Sequence, residues 1–360
     1  MRHRFHAICP YFAMFPELFV RKHLIWSKPG DVVFDPFSGR GTTVFECLLN
    51  ERMAAGCDIN PVAVCVSNAK ADPPTYREAI ARINELEALP HEQDFTLAGN
   101  SEFFEACFHR ETLVQILHLR KHLNWRRRRV DRFIAAIALG CLHGESHRSS
   151  NYFSNRMPRT ISTKPDYSVR WWQKNGYVAP KRDVYRILRA MVDYRFASEP
   201  PRLRGKVASC DARRAAEAFP DLRKRVSLVI TSPPYLDTTN FAEDQWLRAW
   251  FLGGAPFAPR ARGDHRHYNV EKYWSFLTEA WMGIRPLLKK DAHLVIRMGG
   301  KKLSREEIKQ GLQATLEKGL RRDVRLVEQR STKIVDGQLR AFRPGASGVQ
   351  HEHDFHFAFS

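Results

Sequence analysis

Residues 31–43, DVVFDPFSGRGTT, decide how this chain is read. A β-branched and aromatic run, Val32-Val33-Phe34, ends at an acid, Asp35. It then turns through Pro36 into Ser38-Gly39-Arg40-Gly41, after which TVFECLLNER spaces its apolar residues as a helix does. Next, MAAGCDINP reads as a strand ending at Asp58, and VAVCVSNAKA as a helix stopped by Pro73-Pro74. A βαβ unit is therefore predicted over about residues 30–70.

The same alternation returns much later. GKVASCDA reads as a strand running to Asp211, RRAAEAF as a helix, VSLVITSPPY as a strand to Ser232, VEKYWSFLTEAWMGIRPLL as a helix and AHLVIRMGG as a strand. The helix SREEIKQGLQATLEKGL and two closing strands, RDVRLVEQRST and EHDFHFAFS, complete the pattern. The expected fold class is α/β: a doubly wound, mostly parallel sheet with an antiparallel C-terminal strand. Residues 1–71 and 205–360 are assigned to this sheet domain. Residues 72–204 read as a basic insertion, helical in its first part and without periodicity in its second.

The 58 Lys and Arg against 39 Asp and Glu give a net charge of +19, which points to a polyanionic partner. Seven cysteines are scattered without a C-x-x-C pair, which argues against a disulfide framework or a zinc ribbon. The N-terminal MRHRFHAICPYFAMFPELF is basic at its start, but Pro10 and Pro16 interrupt its apolar stretch. Neither a secretion signal nor a membrane span is read, and a cytoplasmic location is expected, beside the nucleoid in a prokaryote.

In a doubly wound sheet, ligands bind outside the carboxyl ends of the strands. Gly39 and Gly41 stand there, where glycine lets the backbone approach a ligand and a helix N-terminus face it. The turn is neither the G-x-G-x-x-G of dinucleotide enzymes nor a P-loop. Asp58, at a second strand end, suits two ribose hydroxyls. A nucleoside cofactor without phosphates fits this set.

FDPFSGRGTT taken together with TSPPY (residues 231–235) resembles the S-adenosylmethionine-dependent amino-methyltransferases that act on exocyclic amines of DNA bases. The resemblance spans roughly residues 10–70 and 205–360. It implies a Rossmann-like methyltransferase sheet, S-adenosylmethionine as cofactor and double-stranded DNA as partner. By the same resemblance Asp35 holds the methionine amino group, and the turn Phe37, Gly39, Gly41 and Thr42 cradles the methionine portion. Asp58 binds the ribose, Asp211 accepts from the adenine amine, and Phe15 and Pro16 complete the pocket from the N-terminal side. Ser232 contacts the target amine, the Pro233 carbonyl accepts a second bond from it, and Pro233-Pro234 hold both groups rigid. Tyr235 stacks on a base flipped out of the duplex. Methyl transfer is then direct, without a covalent enzyme intermediate.

Ser-Pro-Pro-Tyr favours cytosine N4 within that family, with adenine N6 as the alternative. RNA base amino-methylation and a catalytically silent DNA-binding scaffold are more distant rivals. Methylation at C5 of cytosine uses a nucleophilic Cys after Pro, and the chain has no Pro-Cys. The cofactor motif precedes the catalytic motif here, whereas many Ser-Pro-Pro-Tyr relatives carry them in reverse. No nuclease motif is seen, so any companion restriction endonuclease is expected on another chain.

Asp72-Pro73-Pro74-Thr75 lacks an aromatic and reads as a helix stop. HGESH (143–147) and HEHDFH (351–356) do not have metal-site spacing, and the second reads as a surface-facing strand edge. No metal is assigned. Target recognition is assigned to the insertion, with Arg156, Arg159, Lys164, Arg170 and Trp172 as DNA contacts; loops 252–268 and 336–350 are further candidates.

Overall fold

The computed structural model describes residues 2–11, 15–99, 101–157, 164–236, 241–259, 269–300, 302–333 and 351–359, with residues 241 and 242 described by backbone only. The chain divides into two compact units. A sheet unit comprises Tyr11–Ser67, Pro201–Thr239 and Arg262–Ser360, and a helical unit comprises Met1–Pro10, Asn68–Pro200 and Asn240–Ala261.

The sheet unit has seven strands: β1 (Val32–Asp35), β2 (Met53–Asp58), β3 (Lys206–Ser209), β4 (Val226–Thr231), β5 (Leu288–Gly299), β6 (Val324–Lys333) and β7 (His351–Phe359). Their order is β3-β2-β1-β4-β5-β7-β6. All pairs from β3 to β5 are parallel, and β7 inserts antiparallel between β5 and β6. This is the doubly wound, Rossmann-like sheet expected from the sequence. Parallel strands covered on both faces read as unbroken apolar runs, and all four residues of β1 are buried. The strand order reverses between β1 and β4, which opens a crevice at their carboxyl ends.

HEHDFH does not lie on a sheet edge. β7 is flanked on both sides, and Phe355 and Phe357 join the apolar core under the sheet. Only β7's first residues are open enough to look like an edge: His351 is exposed, while His356 is buried.

The helical unit differs from the 72–204 insertion in its limits. Trp250 Nε1 donates to the Leu97 carbonyl at 2.7 Å and Trp125 Nε1 to the Leu252 carbonyl at 3.1 Å. The buried Arg248 donates to the carbonyls of Leu139 and Pro10 at 3.1 and 2.9 Å. These long-range bonds seal residues 246–252 and the N-terminal ten into the helices.

Its second half is also more regular than expected, with helices Pro165–Lys174 and Val184–Phe196. The latter buries Val184, Tyr185, Ile187, Leu188 and Val192, a helical spacing masked in the sequence by interleaved Arg and Tyr. Asp72-Pro73-Pro74-Thr75 is a helix junction: Thr75 and Glu78 form a capping box at the start of Tyr76–Ala88. No described helix is long and apolar enough to cross a membrane.

Candidate cofactor and target-amine site

The turn after β1 is held by its own backbone and by the two strands beside it. Gly39 and Gly41 both take left-handed φ values, 50° and 71°. The Ser38 hydroxyl donates to the Asp35 carbonyl at 3.0 Å, the Gly41 N–H to the Ser38 carbonyl at 2.7 Å, and the Ser67 hydroxyl to the Gly39 carbonyl at 2.7 Å. A methyl group on Gly41 would lie 2.8 Å from Ser67 Cβ, so this glycine is also required for close packing. Thr42 follows, buried, with its hydroxyl accepting from Arg40 Nε at 3.3 Å, and opens the helix Thr42–Leu49. Phe37 is half-buried against Phe276 and Trp281.

Asp35 is fully buried at the crevice. Its Oδ1 accepts from the Thr231 hydroxyl at 2.6 Å and from the Phe37 N–H at 3.1 Å. Among the described residues its Oδ2 has no hydrogen-bond partner; the nearby Thr43 hydroxyl donates to the Ile230 carbonyl at 3.1 Å. Burial pushes the Asp35 carboxyl up to about 6, against the pull of those hydrogen bonds. A buried acceptor left unmatched is costly, and an ammonium group is the complement that both satisfies it and favours its charge.

Asp58, at the end of β2, is half-buried. Its Oδ2 accepts from the Gly39 N–H at 2.8 Å and its Oδ1 from the Asn60 N–H at 2.9 Å. Burial raises its pKa while backbone N–H groups oppose the rise. Each carboxylate oxygen has a second lone pair, so the carboxylate retains capacity for a diol. Asp211 sits two residues beyond the end of β3 and caps a short 3-10 helix. Arg213 engages both of its oxygens, with Nε to Oδ1 at 3.0 Å and Nη2 to Oδ2 at 2.7 Å. Phe15 is buried edge-on against Phe19, and Pro16 caps the helix Glu17–His23.

The Ser-Pro-Pro-Tyr segment leaves β4 beside this turn. Ser232 and Pro234 are half-buried, Pro233 is buried, and the Tyr273 hydroxyl donates to the Pro234 carbonyl at 2.9 Å. Tyr235 is 9% exposed and packs within the core under the sheet. Its hydroxyl donates to Glu352 Oε1 at 3.0 Å and accepts from the Ser232 hydroxyl at 3.4 Å. Sequence reasoning missed Glu352 and Thr231. Thr231 had a signal, a hydroxyl at the end of an otherwise apolar buried strand, whereas Glu352 had none.

Among the insertion residues, Trp172 is 1% exposed and its Nε1 donates to the Arg156 carbonyl at 2.6 Å, so it is a packing residue and not a stacking surface. The neighbouring Asn155 is buried and donates its amide to the carbonyls of Ala106 and Tyr177. Arg156, Lys164 and Arg170 are exposed. The Arg156 guanidinium lies 4.5 Å from the Tyr177 ring centroid, and Lys164 is 3.8 Å from Glu243. Arg159 and loop 336–350 lie outside the described residues. Among the described residues no group of three His, Cys, Asp or Glu is arranged to hold a metal.

The model of a family described as DNA methylase, the N6/N4 amino-methyltransferases, matches residues 3–68. An orphan methyltransferase, M.BamHII of Bacillus amyloliquefaciens, is 41% identical over 59 residues, which are 16% of this chain and 22% of that protein. The type II methyltransferase M.MvaI of Kocuria varians is 26% identical over 234 residues, 60% of this chain and 49% of that one. The chain thus spans less than half the length of either relative. Among solved structures, TrmN from Thermus thermophilus aligns over 99% of this chain and 52% of its own, at 10% identity and a TM-score of 0.38. Residues 3–68, which hold the first strand, the glycine turn and the second strand, are thus similar to the DNA methylase family, and the curated relatives are methyltransferases.

Proposed function

We propose that this protein methylates the exocyclic N4 amine of cytosine in double-stranded DNA. The observation that carries the reading is the Thr231–Asp35 hydrogen bond, because it joins the β4 end that leads into Ser-Pro-Pro-Tyr to the β1 end that leads into the glycine turn. The two motifs of the resemblance therefore open on one crevice.

S-adenosylmethionine, when bound, supplies an electrophilic methyl group. Asp35 would hold the ammonium of its methionine part, the turn at Phe37, Gly39, Gly41 and Thr42 would cradle that part, and Asp58 would accept from the ribose hydroxyls. Asp211 accepts from the adenine amine only by sharing oxygens that Arg213 already engages. At the target, an amine conjugated to a base ring is a poor nucleophile, and acceptors aimed at its N–H bonds localise its lone pair. Ser232 Oγ and the Pro233 carbonyl are those acceptors, and consecutive prolines remove the freedom that would blur their aim. The base reaches them by leaving the duplex. Exposed Arg156, Lys164 and Arg170 on the helical unit are phosphate contacts, consistent with the net charge of +19.

The test is to incubate the protein with unmethylated DNA and S-adenosylmethionine, digest to nucleosides and identify the product by mass spectrometry. N4-methylcytosine is expected. N6-methyladenine would overturn the base assignment, and a product found only with RNA would overturn the substrate.

A further inference from the structure

Behind Ser232 lies a chain of hydrogen bonds that the methylation chemistry above does not use. On β7, Glu352 and Asp354 share one face and stand in register with Gly299 and Arg297 of β5. Arg297, buried, binds Asp354 through two bonds, Nε to Oδ1 at 2.6 Å and Nη2 to Oδ2 at 2.9 Å. Its Nη1 reaches Glu352 Oε2 at 3.3 Å, and its guanidinium rests 4.2 Å from the centre of the Phe19 ring. Glu352 is therefore fixed by a cation that is itself fixed. Its other oxygen accepts the Tyr235 hydroxyl, and the Tyr235 oxygen accepts the Ser232 hydroxyl.

The direction of this chain matters for Ser232. A serine hydroxyl has one proton and two lone pairs. A carboxylate can only accept, so the Tyr235 hydroxyl donates its hydrogen bond to Glu352, and toward Ser232 the Tyr235 oxygen acts as acceptor. The Ser232 lone pairs then remain for N–H donors on its open side. We propose that Glu352, acting through Tyr235, is a positioning residue that holds the Ser232 hydroxyl in its acceptor orientation toward the target amine. The proposal rests on the reading of Ser232 as an acceptor for that amine.

A pH dependence follows. Burial raises the Glu352 pKa, which Arg297 and the Tyr235 hydrogen bond oppose and Asp354 reinforces. Across β6 the register neighbour is Thr332, which carries no charge. Protonated Glu352 can donate to Tyr235 and reverse the chain, so the transfer rate falls as pH falls through this pKa.

The experiment is single-turnover methyl transfer on duplex DNA across pH at saturating cofactor, with cofactor affinity by calorimetry, for wild type, Tyr235→Phe, Glu352→Gln, Glu352→Ala and the double variant Tyr235→Phe with Glu352→Ala. Tyr235→Phe keeps the ring and is expected to slow transfer about tenfold, with cofactor affinity changed less than about twofold. Glu352→Ala should match it, and the double variant should be no slower than Tyr235→Phe alone. Glu352→Gln still accepts a hydrogen bond and should fold as wild type does; it should flatten the acid limb of the pH profile. Wild-type turnover in Tyr235→Phe, or an unchanged acid limb in Glu352→Gln, overturns the relay while leaving the methyltransferase reading intact. A wild-type protein that methylates no DNA overturns the methyltransferase reading itself.

Discussion

The Thr231 hydroxyl donates to Asp35 Oδ1 at 2.6 Å, joining residues 196 apart in sequence at the carboxyl ends of β4 and β1. The bond occupies one Asp35 oxygen and leaves the other, Oδ2, as a buried acceptor without a partner among the described residues. The site therefore contains a carboxylate that its own fold satisfies only in part.

The stability and the affinity of this protein are expected to respond to pH in opposite directions through Asp35. An unfolded aspartate ionises near about 3.9, whereas burial lifts Asp35 to about 6. Ionising it in the folded chain is unfavourable, so stability falls as pH rises from about 4 through 6, by on the order of 3 kcal/mol. Cofactor affinity needs the carboxylate and should rise across the same window. Asp35→Asn should abolish that rise; calorimetric titration from acid to neutral pH reads it, and an affinity in wild type that ignores pH would detach Asp35 from the ammonium.

The two glycines of the turn should differ on substitution. Gly41→Ala forces a side chain into a left-handed residue and against Ser67, and about 3 kcal/mol of stability should be lost. At Gly39 the nearest side-chain atom, Tyr11 Cε1, is 3.7 Å away, so Gly39→Ala should cost about 1 kcal/mol from the backbone alone. Urea denaturation separates them; equal midpoints would show that packing on Ser67 is not the constraint.

Ser232→Ala should leave cofactor affinity unchanged within error and slow methyl transfer by about two orders of magnitude, the scale for losing one preorganised polar contact at a reacting group. Turnover equal to wild type would remove Ser232 from the chemistry.

Of the residues assigned to DNA, Arg170 and Trp172 should part company. Arg170→Ala, on the surface, should weaken duplex binding and reduce the slope of log affinity against log salt by about 0.9. Trp172→Phe removes a buried N–H bond to the Arg156 carbonyl and should lower stability by about 1 kcal/mol with the salt slope intact. A salt slope that moves with Trp172 and not with Arg170 would reverse the assignment.

The alternation that predicts the sheet is local: β1 is an apolar run closed by an acid, and the glycines after it have one conformational use. Asp35, Gly39, Gly41, Asp58 and Ser232 could therefore be picked out by position at strand ends. The helix Val184–Phe196 could not, because its buried stripe is broken by polar neighbours. Trp172 misled for a related reason. An indole beside arginines reads equally as a stacking surface or as core, and only its neighbours in space choose.

The strands of the sheet in chain order, the glycine turn and the Ser-Pro-Pro-Tyr ending are legible from the sequence, since each depends on residues within a few positions of one another. The tertiary structure alone decided that β7 lies inside the sheet, that Thr231 binds Asp35, that Tyr235 turns its hydroxyl to Glu352, and that residues 246–252 belong with the helices. Those are pairings across long chain separations, set by how packed elements satisfy one another's buried polar groups, and no local pattern encodes them.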